Sequence, residues 1–141
     1  MSQNSALATA ADAENTAIFA YGVATAFTTA DDRSAVAEYI AAHRVRRDEL
    51  NARLLTAGES ERTPAAGYTL PVDVTDDASA ATALLAAETE CATAYRALLE
   101  QADEQAVRRT AVDALTECAL RATRWRSVSR TSPLTVPFPG Q

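Results

Sequence analysis

The long break between the second and third of four helical stretches is the feature that most limits how this chain folds. Residues recur on one face at helical spacing over four segments. These are about 5–28 (Leu7, Ala11, Ile18, Tyr21), 32–57 (Val36, Ile40, His43, Leu50, Leu54), 76–101 (Leu84, Glu88, Cys91, Tyr95, Leu98) and 103–129 (Val107, Ala111, Ala114, Cys118, Trp125). The joins inside the first and second pairs are short, so each pair is an antiparallel hairpin. The segment 58–75 carries Pro64, Gly67 and Pro71 and reads as non-helical. A connection of that length is uncommon in a compact domain and needs a reason. The second helix spans about 37 Å at 1.5 Å per residue, and an extended segment of about eighteen residues reaches roughly 60 Å. The crossover can therefore run the length of the bundle and start the third helix parallel to the second.

Composition agrees with an all-α chain. Hydrophobic residues make up 48% of the sequence and aromatic ones only 6%, with Ala dominant. Ala loses no side-chain entropy in a helix. Ser5 offers a cap for the first helix, Asp31 and Asp32 for the second, and Gly58 stands where a glycine closes a helix. Two helical hairpins joined by one long crossover make a ferritin-like four-helix bundle. The length suits a single domain, 1–141, with a core that needs no disulfide. The tail, 131–141, holds Pro133, Pro137 and Pro139 and cannot be helical; Leu134, Val136 and Phe138 are expected to dock on the bundle, because an exposed apolar tail favours aggregation.

All 13 basic residues are Arg and the net charge is −6, which argues against general nucleic-acid binding. The Arg-rich end of the fourth helix suits the helix dipole. The first residues lack a basic and apolar leader pattern, and the longest apolar run, Ala17 to Phe27, is too short to span a bilayer. Cys91 and Cys118 fall at apolar helix positions and show no CxxC pattern. A cytoplasmic protein without membrane contact is the expectation.

An internal repeat runs through the helices. Adding 74 to the residue number takes Glu14 to Glu88, Tyr21 to Tyr95, His43 to Glu117 and Arg47 to Arg121, so the first hairpin maps on the second without a gap. Glu14 lies between Leu7 and Tyr21 on one face, and Glu88 between Leu84 and Tyr95. A carboxylate is rarely buried unless it is paired or bound to a cation. Two at equivalent positions, with the only His nearby on an apolar face, point to one shared core site.

In di-iron carboxylate bundles two helices each give one Glu, and the other two each give a Glu-x-x-His pair. Glu14 and Glu88 match the single-Glu helices. The pairs do not match: Ile40 stands three residues before His43, and Leu120 three residues after Glu117. The six-ligand set is incomplete in any register.

The stretch Ala13-Glu14 to Ile18-Phe19-Ala20-Tyr21-Gly22, the run His43-Arg44-x-Arg46-Arg47-Asp48 and the closing Thr135-Val136-x-Phe138-Pro139-Gly140 resemble an actinobacterial ferritin-like domain family of unknown function. The resemblance covers nearly the whole chain. It implies a ferritin-like bundle and supplies no activity to carry over.

Three readings of the core follow. In the first, the metal site is degenerate: Arg47 and Arg121 replace the iron charge and pair with Glu14, Glu88 and Glu117, and the protein has a structural or interaction role with no cofactor. In the second, Glu14, His43, Glu88 and Glu117 hold a single Fe, Mn or Zn ion for oxidase or ferroxidase chemistry, with Tyr21 and Tyr95 as neighbouring aromatics. In the third, the buried acids hold a cationic or hydroxylated small molecule. No phosphate loop, GxSxG or dinucleotide motif is present, and no catalytic residue is assigned. Gly22 and Ala26 form a small-residue step on the first helix. By resemblance, a homodimer is expected through the first two helices; no other protein partner is indicated.

Overall fold

The protein is described by a computed structural model covering residues 1–141. Four helices follow in order: α1 (Gln3–Ala24), α2 (Ala30–Thr56), α3 (Asp77–Gln101) and α4 (Gln105–Val128). The predicted element count and crossover hold, and the ends shift by a few residues for identifiable reasons. Ser2 rather than Ser5 caps α1, because the two serines satisfy each other's backbone N–H groups in a capping box. Asp76 and Ser79 do the same for α3. Asp31 and Asp32 are not caps; they lie in the first turn of α2, where negative charge suits the dipole.

The helix C-termini close as their sequences require. At the end of α2, Gly58 has φ 78°, Gly58 N–H donates to Leu55 O (3.0 Å) and Glu59 N–H to Leu54 O (2.9 Å). This is a Schellman closure with glycine in the left-handed position. At the end of α4 the same pair of bonds forms around Arg130, whose φ is 56°. There a side chain is forced into a conformation that favours glycine.

Backbones pack closely between α1 and α2, α1 and α3, and α3 and α4. Small residues make this approach possible: Ala6, Ala10, Ala11, Ala17, Ala20, Ala80 and Ala81 are all buried in one core with Leu7, Leu84 and Leu98. The α2–α4 seam is closed by long polar side chains. Arg124 pairs with Asp32 (2.8 Å), Arg46 with Glu117 (2.7 Å), and Arg53 donates to Thr110 (3.1 Å). The falling numbers on α4 show that it runs antiparallel to α2.

The crossover is pinned near its start. Arg62 N–H donates to Asn51 Oδ1 (2.8 Å), its carbonyl accepts from Asn51 Nδ2 (3.2 Å), and its guanidinium grips both oxygens of Asp12 (2.9 Å each). Leu70 and Val74 then pack on the core, and the Tyr68 ring meets Phe19.

The tail lies over α3 and α4, but not as predicted. Leu134, Val136 and Phe138 stay exposed. Contact is made instead by Gly140, whose φ is 82°; a Cβ there would stand 2.5 Å from Ala92 O. The tail thus meets α3 through the backbone at Gly140, and Arg126 Nη1 donates to the Pro133 carbonyl (3.1 Å). No helix is long and apolar enough to cross a membrane.

Candidate functional site

At mid-bundle one hydrogen-bonded network joins all four helices. α1 contributes Glu14 and Tyr21, two turns apart on one face, and α3 contributes Glu88 and Tyr95 in the same relation. His43 enters from α2, and Trp125 and Arg121 from α4. The side chains of Glu14, His43 and Glu88 are at most 1% exposed.

His43 stands between the two carboxylates. Its Nδ1 lies 2.5 Å from Glu14 Oε2 and its Nε2 2.8 Å from Glu88 Oε1. Tyr95 donates its hydroxyl to Glu14 Oε1. Tyr21 donates to Glu88 Oε1 (2.6 Å) and accepts from Trp125 Nε1 (2.7 Å). The Tyr21–Glu88 and Tyr95–Glu14 bonds exchange when 74 is added to each partner on α1 and subtracted from each on α3.

Burial alone would pull the proton off His43. The hydrogen bonds and charges of Glu14 and Glu88 outweigh it and raise the pKa from 6.5 to about 10. Near neutral pH both ring nitrogens therefore carry hydrogen and donate. Burial, reinforced by Glu88 at Tyr21 and by Glu14 at Tyr95, holds both phenols well above their usual range, so they remain donors. Arg121 adds a second cation: Nη1 is 3.9 Å from Glu88 Oε2, and its guanidinium lies over the Tyr39 ring. Two carboxylates face one imidazolium and one guanidinium, a balance that a buried cluster needs. Glu88 Oε2 has no hydrogen-bond partner within the protein.

Two residues singled out from sequence do not join His43 and the core carboxylates, although Glu117 accepts from Arg121 Nη2 (3.4 Å) at the cluster's edge. Glu117 sits at the α2-facing edge of α4, 41% exposed, where the Arg46 guanidinium grips both its oxygens (3.2 and 2.7 Å). Arg46 was not singled out. Arg47 pairs with its neighbour Asp48 at 3.0 Å and makes no contact with Glu14 or Glu88. It stands on the same helical stripe as His43, Leu50 and Leu54, but its long side chain reaches out to Asp48 and is a quarter exposed.

Sequence reasoning also missed Trp125 as part of the network. The signal was available: a Trp on a buried stripe needs an acceptor for its N–H, and a buried Tyr hydroxyl is a natural one.

The arrangement does not fit a di-iron centre. That centre needs four carboxylates and two imidazoles, and only Glu14, Glu88 and His43 converge. An imidazolium has no lone pair for a metal. A smaller set remains. Ligand atoms of Glu14, His43 and Cys91, all buried, lie within 4.8 Å of one another. The Cys91 thiol donates to Ala13 O (3.5 Å), and the neighbouring Cys118 thiol and burial push its pKa up. A metal would have to displace protons from both His43 and Cys91.

A family profile described as "Domain of unknown function (DUF4439)" matches residues 6–141. The fold is similar to that of a conserved hypothetical protein, rv2844, from Mycobacterium tuberculosis. The TM-score is 0.87 at 38% identity, covering 89% of this chain and 96% of that one. It is also similar to a structure described as ferritin like, diiron-carboxylate proteins from Bacillus anthracis str. Ames. There the TM-score is 0.69 at 17% identity, covering 91% of this chain and 93% of that one, a likeness of fold. The bundle is thus ferritin-like, as the crossover predicted. No curated protein matches the chain.

Proposed function

The chain belongs to the DUF4439 family, a domain of unknown function, and from that premise and its core geometry we propose a ferritin-like scaffold whose metal centre has been replaced by a protonated histidine. The protein then has a structural or interaction role and acts through its surface. One observation carries this: His43 donates to both core carboxylates, at 2.5 and 2.8 Å, in the space between them where a bridging cation would stand. A di-iron-carboxylate protein shares the fold, and here imidazolium and Arg121 supply the positive charge. The exchange of the two Tyr–Glu bonds under a shift of 74 residues supports duplication of an ancestral hairpin. We extend the same reading to a cytoplasmic homodimer. Light scattering tests that state, and a monomer at all concentrations contradicts it.

The test of the scaffold is metal content. The protein is purified without chelator, incubated anaerobically with Fe(II), desalted and analysed by mass spectrometry. A folded protein with far less than one ion per chain is expected. Stoichiometric iron, lost in Glu14→Ala and Glu88→Ala, would contradict the scaffold reading.

A second reading rests on the Glu14, His43 and Cys91 cluster, whose ligand atoms lie within 4.8 Å. A thiol, an imidazole and a carboxylate suit a single Zn or Fe ion. Because His43 and Cys91 must lose protons first, uptake by this set should strengthen steeply as pH rises. Zinc affinity that does not change with pH argues against it.

A further inference from the structure

The α2–α4 seam, closed at mid-bundle by long polar side chains, opens at the end of the bundle where α1 and α4 begin and α2 finishes. A chamber of about 430 Å³ lies there, within the size range of small-molecule sites. Leu7 and Val107, each 1% exposed, form its floor, and Ala52 and Ala57 add to its apolar wall.

Two opposite charges line this chamber without meeting. Arg53 Nη2 donates to Thr110 Oγ1 (3.1 Å) and lies 3.5 Å from Glu49 Oε1. Nη1 donates to no group of the protein, and the side chain is 29% exposed. Glu104 is exposed and accepts only an amide N–H, from Gln3 Nε2 (2.9 Å). It pairs with no cation, and Arg53 stands beyond ion-pair distance of it although both line the chamber. Glu49, the other acid of the lining, is already satisfied on both oxygens: Arg46 holds Oε2 (3.0 Å) and Thr110 donates to Oε1 (3.0 Å).

These charges specify the occupant. A lone anion on Arg53 is opposed by Glu104, and a lone cation on Glu104 is opposed by Arg53. A molecule that carries both charges satisfies both, and charge-assisted hydrogen bonds of this kind are the stronger ones. The apolar floor then takes the rest of the molecule. We propose that this chamber binds a small zwitterion with an apolar body, of free amino-acid or dipeptide size, its carboxylate on Arg53 Nη1, its ammonium on Glu104 and its body over Leu7 and Val107. None of these groups belongs to the His43 network, so the site stands whether or not the core takes metal.

Leucine and leucyl-leucine serve as probes of the full-length protein near neutral pH. Leucinamide, which lacks the carboxylate, and N-acetyl-leucine, which lacks the ammonium, isolate each charge. Amide resonances of Ala52, Ala57 and Val107 are followed by NMR during titration with each. At least one zwitterion is expected to shift them saturably, and the tighter of the two names the length of the ligand. Each single-charge analogue should bind at least about tenfold more weakly than leucine, the difference that one hydrogen bond to a charged group makes. Arg53→Gln should weaken the zwitterion by a similar factor and leave leucinamide unaffected. Glu104→Gln, at an exposed position, should weaken it too and leave N-acetyl-leucine unaffected, and it serves as the test should Arg53→Gln not fold. The absence of any saturable shift overturns the proposal. So does binding of a single-charge analogue as tight as that of leucine, or undiminished zwitterion binding in a folded variant.

Discussion

His43 is the residue on which the core depends. With two buried carboxylates against it, His43→Ala leaves unpaired charge in the interior, a change that costs about 3–5 kcal/mol. That is a large share of the 5–15 kcal/mol typical of a domain. The pH dependence has a definite sign. The folded pKa of about 10 exceeds the unfolded 6.5. The stabilisation is therefore complete below pH 6.5 and is lost as pH rises through about 10, by up to about 1.4 kcal/mol per unit within that window. Urea midpoints of the wild type should fall between pH 7 and 10, and those of His43→Gln should fall less; parallel curves would contradict the protonated state. The two tyrosines are not equivalent. Tyr95→Phe removes one bond to Glu14, while Tyr21→Phe removes the bond to Glu88 and also strands the Trp125 N–H. Tyr21→Phe should therefore be the more destabilising by about 1–3 kcal/mol in urea unfolding.

At the scale of elements, helix positions followed from periodicity, while their ends followed from caps that periodicity does not register. The box formed by Ser2 and Ser5 moves the cap of α1 three residues upstream of the predicted one, and Gly58 closes α2 as its position suggested. The register of Glu14, Glu88, Tyr21 and Tyr95 was legible because a seven-residue spacing on an Ala-rich helix fixes which face is buried. The fate of Glu117 and Arg47 was not. Glu117 sits at the edge of a stripe, where Arg46 draws it outward, and Arg47 stands on the stripe but has a side chain long enough to reach Asp48 at the surface. The tail misled for a related reason: its apolar side chains suggested docking, but Gly140 makes the contact. Arg130 gives an element-level test. In the left-handed position that closes α4, Arg130→Gly should stabilise the protein by about 1 kcal/mol, read as a rise in thermal midpoint. No change would mean that the closure carries no strain.

Over the whole molecule, a crossover bundle with close Ala-lined interfaces places polar groups from every helix at the centre. α1 and α3 bring the acids, α2 the histidine and α4 the tryptophan and arginine. His43 on α2 bonds Glu88 on α3 as well as Glu14 on α1, so it ties hairpin to hairpin as well as acid to acid. A buried network of this kind specifies register more than it adds stability. That suits a protein whose fold is ferritin-like while its core does not hold the ligand set of a di-iron centre. The most direct measurement is the ring ¹⁵N spectrum of His43 in labelled protein at pH 8, before and after anaerobic Fe(II). Two protonated nitrogens, unchanged by iron, are expected of the imidazolium clamp. A nitrogen without its proton, or one shifted or broadened by bound iron, would contradict it.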